Sequence, residues 1–380
     1  MRKFLLLSMG FVACAWFSSC SNDIEEAVLD NSIEMSDSHF VSVEQAKKNA
    51  DTFMNKFRGI ESRNAGKSYE VEDVVTCRTS DFGDIESRGS SAQPIFYAIN
   101  FKNDEGFVLA STDDRYVPVY AYVEKGKFTG TQTENEEFNL FLYNIAMKFT
   151  DKKDSTLLAE NAIMSPTVSQ VNPLISVEWG NGFPYNTYSF FSNCPPMSAA
   201  LTQICSYYQQ PTSASYTDFG VTTSFTMNWT SILAESGSNG GQLVSNTTNA
   251  NAVAHLMHYF ENPTYTIETM FNSEKCIGYA RDLGYKTSVM YSLDDDSDVT
   301  AIQNALNLSR LIYARGYATN NSGILGNGHA WVIDGYVLNL LHCNWGWDGL
   351  YNGYFTLNGF QPYSSVDYQY QTAYSIIYHL

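Results

Sequence analysis

Positive charge is scarce in this chain. Its 380 residues carry 22 Lys and Arg against 40 Asp and Glu, a formal net charge of -18. A field of that sign repels polyphosphate partners, which excludes nucleic-acid binding. Long apolar runs are scarce too. Only Phe4 to Phe17 near the N-terminus approaches one, so no internal transmembrane helix is expected. No self-similarity at solenoid or propeller periods is visible, which excludes a repeat architecture. What the chain holds in quantity is apolar material, 44% hydrophobic and 14% aromatic. That is enough to bury a large core over about two to three domains and to exclude disorder for most of the length.

Met1-Arg2-Lys3 precedes an apolar stretch of about 14 residues, the size of a signal-peptide core and short of the about 20 that a membrane span needs. Residues 1–19 therefore read as an export signal. Phe17-Ser18-Ser19-Cys20 resembles a bacterial lipobox, in which Cys20 is acylated and becomes the first residue. Val12-Ala13-Cys14 is a second candidate with a shorter apolar core, and an ordinary cleaved signal with a chance cysteine is the alternative. The acidic stretch Ser21-Asn22-Asp23-Ile24-Glu25-Glu26 looks like the signals that send some Gram-negative lipoproteins to the outer face. The expectation is an exported lipoprotein at the outer membrane or cell surface of a Gram-negative bacterium, touching the membrane only through its anchor, with residues 20–40 as a linker.

Of the seven cysteines, setting aside Cys14 and Cys20 leaves Cys77, Cys194, Cys205, Cys276 and Cys343. An odd remainder leaves at least one free thiol, and beside suitable partners such a thiol is a candidate nucleophile.

The pattern after the linker is α+β. Ser42-Val43-Glu44-Gln45 forms a capping box, and Val43, Ala46, Ala50, Phe53, Met54 and Phe57 recur at helical spacing, predicting a helix. Tyr69–Thr76 is strand-like. Ile95–Phe101 and Phe107–Ser111 flank a turn at Asn103-Asp104-Glu105-Gly106, Val117–Tyr122 supplies another strand, and Phe138–Phe149 a second helix. The polar stretch from Thr150 to Gln170 reads as a connection, giving a first domain over 41–165 and a second over 171–380. The loop Trp179–Asn186 is too rich in Gly, Pro and Asn for regular structure. A helix follows from Pro195 or Pro196 to Tyr207, with Cys194 expected to cap its positive end. Asn251–Phe260 and Val299–Leu306 look helical, whereas Arg310–Ala318, His329–Val337, Leu340–Trp345 and Tyr351–Leu357 read as strands of a C-terminal antiparallel sheet.

A thiol at a helix N-terminus and a distant imidazole beginning an apolar strand, Cys194 and His329, carry the logic of an activated cysteine. The base must reach the thiol and be held in its tautomer by a third group. Asn344 is a candidate for that group, with Trp345 shielding the bond from water.

With these residues in view, the chain resembles the streptopain family, papain-fold cysteine peptidases made with an N-terminal inhibitory propeptide. Gly328-His329-Ala330-Trp331-Val332-Ile333-Asp334-Gly335-Tyr336 is similar to the family's histidine strand. Asn344-Trp345-Gly346-Trp347-Asp348-Gly349, continuing to Gly353-Tyr354-Phe355, is similar to its Asn-Trp turn. Met227-Asn228-Trp229 and Ala252–Met257 resemble the middle segment less specifically. Asn100-Phe101, Gly106–Arg115 and Pro118-Val119 resemble the propeptide hairpin. The resemblance implies a papain-like catalytic domain over 171–380 preceded by a small α+β propeptide domain over 41–165, and a cysteine-type endopeptidase made as a zymogen. It implies a peptide or protein substrate, the chain's own propeptide in the cleft, and no cofactor.

The chain departs from the family at the nucleophile. Members place a Gln about two helical turns after the Cys. Gln203 fits that Gln, which puts Pro196 in the nucleophile column and leaves Cys194 two residues early. Two residues are about 200° of helical rotation, although a residue ahead of the first turn is not bound by helical phase. The family's oxyanion-stabilising Gln is matched by Asn181, one methylene shorter, and losing such a donor typically costs about 3 kcal/mol. Two functions therefore stand: an endopeptidase working through Cys194, His329 and Asn344, and an inactive pseudopeptidase of the same fold that binds peptide or protein.

Two weaker signals are set aside. His255 and His258 have i, i+3 spacing but no third ligand, so no metal is assigned and an exposed helix face is expected. Asp294-Asp295-Asp296-Ser297-Asp298 lacks the glycine and terminal Glu of a calcium loop. Asp298 is expected to cap the helix from Val299.

Overall fold

A computed structural model describes residues 39–58, 69–82, 93–150, 170–261, 273–293, 295–320, 323–359 and 369–380. The expected export signal, Cys20, all but the end of the linker, and most of the connection ahead of residue 170 lie outside these residues. Among the described residues, no helix is long and apolar enough to cross a membrane.

The first helix, α1 (Val43–Arg58), starts as its sequence predicts, with the Ser42 hydroxyl accepting the Gln45 N–H at 3.2 Å. Its stripe of Ala46, Ala50, Phe53, Met54 and Phe57 is buried. Strands β1 (Val71–Arg78), β2 (Pro94–Phe101), β3 (Phe107–Ser111) and β4 (Val119–Val123) follow, then α2 (Glu136–Thr150). After β5 (Gln170–Val171) come α3 (Pro196–Tyr208), the hairpin β6 (Ser213–Asp218) and β7 (Val221–Thr226), α4 (Trp229–Ser238) and α5 (Thr248–Glu261). Then come α6 (Ser273–Asp282), β8 (Lys286–Thr287), β9 (Tyr291–Ser292) and α7 (Asp296–Asn307). The chain ends with β10 (Leu311–Asn320), β11 (Gly323–Val337), β12 (Leu340–Asn344), β13 (Gly353–Thr356) and β14 (Gln369–Tyr378).

One sheet joins both halves of the chain. Its order is β1-β2-β3-β4-β13-β12-β11-β10-β14-β8, with β5 on β11 and β9 on β14, and among the described residues only the β6–β7 hairpin stands apart. The halves meet where β4 pairs antiparallel with β13, Tyr122 opposite Tyr354. At Gly353 a Cβ would collide with the Tyr122 carbonyl, so glycine alone permits this approach. Across the junction Phe57 packs edge-on against Tyr122 and Tyr354, with ring centroids 5.1 and 4.9 Å away. Burying a ring of this size contributes about 2 kcal/mol.

The central strands are buried on both faces, which is why they read as near-continuous apolar runs. Ile312, Ala314, Trp331 and Ile333 pack with α2 and α7. Their alternates Leu311, Tyr313, Ala330 and Val332 pack with α3 and α5. The helix α7 corrects one expectation. It is capped by Asp295, whose carboxylate accepts the Ser297 N–H at 2.8 Å, while Asp298 returns a bond to the Asp295 N–H. The cap therefore sits three residues earlier in the acidic run than expected, with Asp298 as the reciprocal member of a capping box.

Candidate active site

Three segments converge on one end of α3: the loop from Val177 to Asn181, the turn from Asn344 to Gly349, and the start of β11. The turn is stitched to the loop. The Asn344 side chain donates to the Val177 carbonyl at 3.0 Å and accepts the Gly346 N–H at 3.2 Å. Gly180 lies directly against the Asp348 carboxyl. Burial raises the Asp348 pKa, and the Gly180 N–H partly offsets it. Trp179 is fully buried, its indole donating to Ser236 on α4 at 3.1 Å.

His329 begins the buried part of β11 and is 7% exposed. Its ring sits among Trp331, Trp345 and Trp347, with centroids 6.1 to 6.4 Å away. Nε2 lies 2.9 Å from the Trp345 carbonyl oxygen. A carbonyl only accepts, so Nε2 carries the hydrogen and Nδ1 is the basic nitrogen. Trp345 is itself pinned, its N–H to Asn352 Oδ1 at 3.0 Å and its indole to the Tyr351 carbonyl at 2.9 Å. Burial pushes the His329 pKa down to about 4, against the smaller opposing effect of the Trp345 carbonyl. The orienting role expected of Asn344 is thus filled by the backbone of its neighbour. Asn344 acts one step back, shaping the turn that presents that carbonyl.

Cys194 is 2% exposed. Its N–H donates to the Asn181 carbonyl at 2.8 Å, and its thiol lies 3.4 Å from the Tyr185 carbonyl. Burial pushes its pKa up to about 12, with the Glu261 carboxylate adding to the rise and Ser189 opposing it. Nor does it cap α3. Pro195 holds that position, with ψ 141° and no side-chain cap, because a residue ahead of a proline is driven to extended backbone. The chain therefore swings out before the helix, and the thiol turns to Tyr185. No hydrogen bond joins Cys194 to His329 among the described residues. Asn181 meets Cys194 through its backbone, and its half-buried side-chain amide makes no hydrogen bond to another described residue.

On α3 itself, Gly346 packs against the Ala199 methyl and the Gln203 amide, 3.4 and 3.6 Å from where its Cβ would stand. Pro196, Ala199 and Gln203 fall on one stripe by helical period. Pro196, at the first position of α3, therefore leads the stripe that faces the turn holding His329. Gln203 is fully buried, and neither of its amide atoms has a hydrogen-bond partner.

One cluster escaped the sequence reading. His258 is 2% exposed, not on an open helix face, with Nδ1 2.9 Å from Glu261 and Nε2 2.7 Å from Asp218. The other oxygen of the fully buried Glu261 accepts from the Ser189 hydroxyl at 2.8 Å and the Phe190 N–H at 2.9 Å. Burial opposes a charged His258, but the two carboxylates outweigh it and raise the pKa. The i, i+3 pair His258–Glu261 was the available signal. His255 is half-buried and meets the Tyr216 hydroxyl at 2.9 Å. Among the described residues whose side chains are placed, no group of three His, Cys, Asp or Glu could hold a metal ion.

Comparison with known proteins fits this geometry. Residues 179–355 match the Peptidase C10 family and residues 38–149 the Spi protease inhibitor family. The chain is 25% identical over 363 residues to streptopain of Streptococcus pyogenes, covering 84% of this chain and 85% of that one. It is 24% identical over 309 residues to the thiol protease/hemagglutinin PrtT of Porphyromonas gingivalis, covering 71% of this chain but only 34% of PrtT. A solved fragment of Prevotella intermedia prointerpain A shares the fold, with a TM-score of 0.52 at 22% identity over 73% of this chain and 94% of that one. With an inhibitor-type segment ahead of a peptidase-type segment on one α+β framework, the chain belongs to the streptopain-like Peptidase C10 family of cysteine peptidases.

Proposed function

We propose that this chain is a catalytically inactive member of its family, a pseudopeptidase that binds a peptide or protein segment. One observation carries the reading: the thiol nearest the family's nucleophile is turned onto the Tyr185 carbonyl and pushed up to about 12, while Pro196 leads the helical stripe toward His329. Proline has no group that can attack a carbonyl carbon. Burial pushes the Cys194 thiol up to about 12 and the His329 imidazole down to about 4, both directions opposing proton transfer from thiol to imidazole. Exposed aromatic rings at Phe183, Phe190 and Phe191, on the loop leading to Cys194, support binding. Export and attachment through acylated Cys20 belong to the same proposal, supported by the sequence from Met1 to Glu26.

A second reading, a zymogen endopeptidase, is favoured by the His329 tautomer, which keeps Nδ1 basic. It requires the Cys194 sulfur to leave Tyr185 and pass its proton to His329 Nδ1 while bonding the scissile carbonyl carbon. The C–N bond then breaks, the amine takes the proton from the imidazolium, and water cleaves the thioester. Asn181 would serve the oxyanion, and Asn344 would hold the Trp345 turn.

Alkylation of the intact protein with iodoacetamide from mildly acidic to mildly alkaline pH, followed by peptide mapping, separates the two. The inactive reading expects slow labelling of Cys194 that rises with pH throughout and is unchanged by His329→Ala. Fast labelling near neutrality that depends on His329 would establish the peptidase instead.

A further inference from the structure

Both fastenings of the turn that holds His329 are themselves held from the N-terminal half, residues 39–150. Trp345 is pinned through Asn352 and Tyr351. The Asn352 carbonyl accepts the N–H of Glu124, just past the end of β4, at 3.0 Å. The Tyr351 ring stacks on Phe138 of α2, with centroids 4.8 Å apart and planes 17° from parallel. The same helix reaches the Trp345 ring at one remove. Trp345 meets Phe355 edge-on at 5.3 Å, and Phe355 meets Phe141 at 5.1 Å and Phe138 at 6.2 Å.

The seam is built like the inside of a domain. One core cluster takes Phe138, Phe141 and Leu142 from the first half and Leu341, Trp345 and Phe355 from the second. On the other face of the sheet, Phe57 and Tyr122 close over Leu340 and Tyr354. Gly359 lies so close to the Phe141 ring that a Cβ there would collide with it, and its carbonyl accepts from the Asn144 amide at 2.9 Å. All four residues of β13 are buried. Lifting β4 away would turn that strand into an apolar edge with unpaired backbone groups, a template for aggregation. Partners that never separate meet through surfaces resembling a core cut in half, whereas partners that come and go meet through surfaces about as polar as any other. Charge adds less here. Lys125 bonds Glu178 across the seam, but its side chain is 57% exposed, and the Glu124 contact to His342 is long at 3.8 Å.

We propose that residues 39–150 are a permanent half of this molecule, which positions His329 through Asn352 and Tyr351 and stays in place when the chain is cut between Thr150 and Gln170. A peptidase that sheds its inhibitor segment needs an imidazole held by the remaining chain alone. Here the loss of that segment would strip the Asn352 carbonyl of its donor and the Tyr351 ring of its neighbour. The proposal goes beyond the inactive reading and does not rest on it.

The test uses the full chain with the recognition sequence of a site-specific protease placed between Thr150 and Gln170. After complete cutting, both fragments should elute together from a sizing column even at about 1 M salt, where exposed ion pairs are screened. The NMR signal of the His329 Nε2–H should keep its position. In the uncut chain, Phe138→Leu removes the ring stacked on Tyr351 and should speed exchange of that hydrogen with water about tenfold or more. Phe53→Leu, on α1 against the opposite face of the sheet, should leave the exchange unchanged, which separates positioning from general loss of stability. The cut changes no core residue, so it tests the proposal whatever Phe138→Leu does to folding. Fragments that elute apart would overturn the proposal. So would equal exchange in the parent and Phe138→Leu, or equal acceleration by Phe53→Leu. Iodoacetamide labelling of Cys194 in the uncut chain decides the inactive reading separately. Fast neutral labelling would defeat that reading and leave the fragment and exchange results to decide this one.

Discussion

The imidazole of His329 is held by the Trp345 backbone, Nε2 2.9 Å from the carbonyl oxygen. The ring is therefore kept in one tautomer, with Trp345 fastened by Asn352 and Tyr351. In the inactive reading proposed above, the part of the site that fails is the nucleophile.

His329 should stay neutral far into acid. Burial lowers its folded pKa to about 4, below the ordinary 6.5. A depressed histidine contributes stability that is full above pH 6.5 and is lost as pH falls toward 4, because the unfolded chain takes the proton first. Histidine NMR on the intact protein should show an Nε2–H tautomer with no titration between pH 7 and about 5. A ring titrating near 6.5, or one protonated at Nδ1, would remove the geometric basis of this site.

Much of this was legible in the sequence. The apolar periods of α1, α3 and α5 and the runs of β10 to β12 mark elements that form where expected, and the motifs around His329 and Asn344 converge. What was not legible is instructive. A backbone carbonyl has no signature in a sequence, so the partner of His329 fell to the nearest amide side chain, Asn344. Strand patterns do not say which edges meet, so the β4–β13 pairing was invisible. Whether a thiol ahead of a helix faces the cleft depends on Pro195 and Pro196 acting together, and spacing alone leaves that open. The β6–β7 hairpin, mostly exposed and rich in Ser and Thr, offered no apolar alternation to read.

Placing a thiol at the head of the helical stripe tests the proposed inactive reading directly. In a Cys194→Ala background, Pro196→Cys places sulfur at the first position of α3, on the side of Ala199 and Gln203, where the helix dipole favours thiolate. The new cysteine should alkylate at neutral pH at least about a hundredfold faster than Cys194 in the parent chain, and His329→Ala should slow it. A thiol at 196 no faster than Cys194 would show that the stripe does not reach the imidazole.

Glu261 supports three groups at once: His258, Ser189 and the Phe190 N–H. Glu261→Gln keeps the volume but leaves His258 with Asp218 as its one carboxylate partner, and losing a buried hydrogen bond to a charged group costs about 2 kcal/mol. Urea unfolding should register that loss. Because Glu261 also raises the Cys194 pKa, the same variant should label faster at Cys194 under native conditions. Unchanged stability and labelling would mean that the cluster carries no net load.

His342 gives the β4–β13 junction an alkaline limit. Its Nδ1 lies 2.5 Å from Asp334 and its Nε2 3.8 Å from Glu124, just past the end of β4. Burial works against its charge, but Asp334 chiefly and Glu124 after it raise the pKa to about 10. A raised histidine contributes stability that is full below pH 6.5 and is lost as pH climbs toward 10, because the folded state holds a proton that the unfolded chain has released. Between those limits the difference in unfolding free energy between the parent and His342→Gln should shrink by up to about 1.4 kcal/mol per pH unit. Cysteines and tyrosines that ionise in the unfolded chain above pH 8 act on both proteins alike, so the difference isolates His342. If that difference stayed constant from pH 6.5 to 10, the imidazole would be neutral in the folded state, and the contact to Glu124 would hold the two halves without a charge.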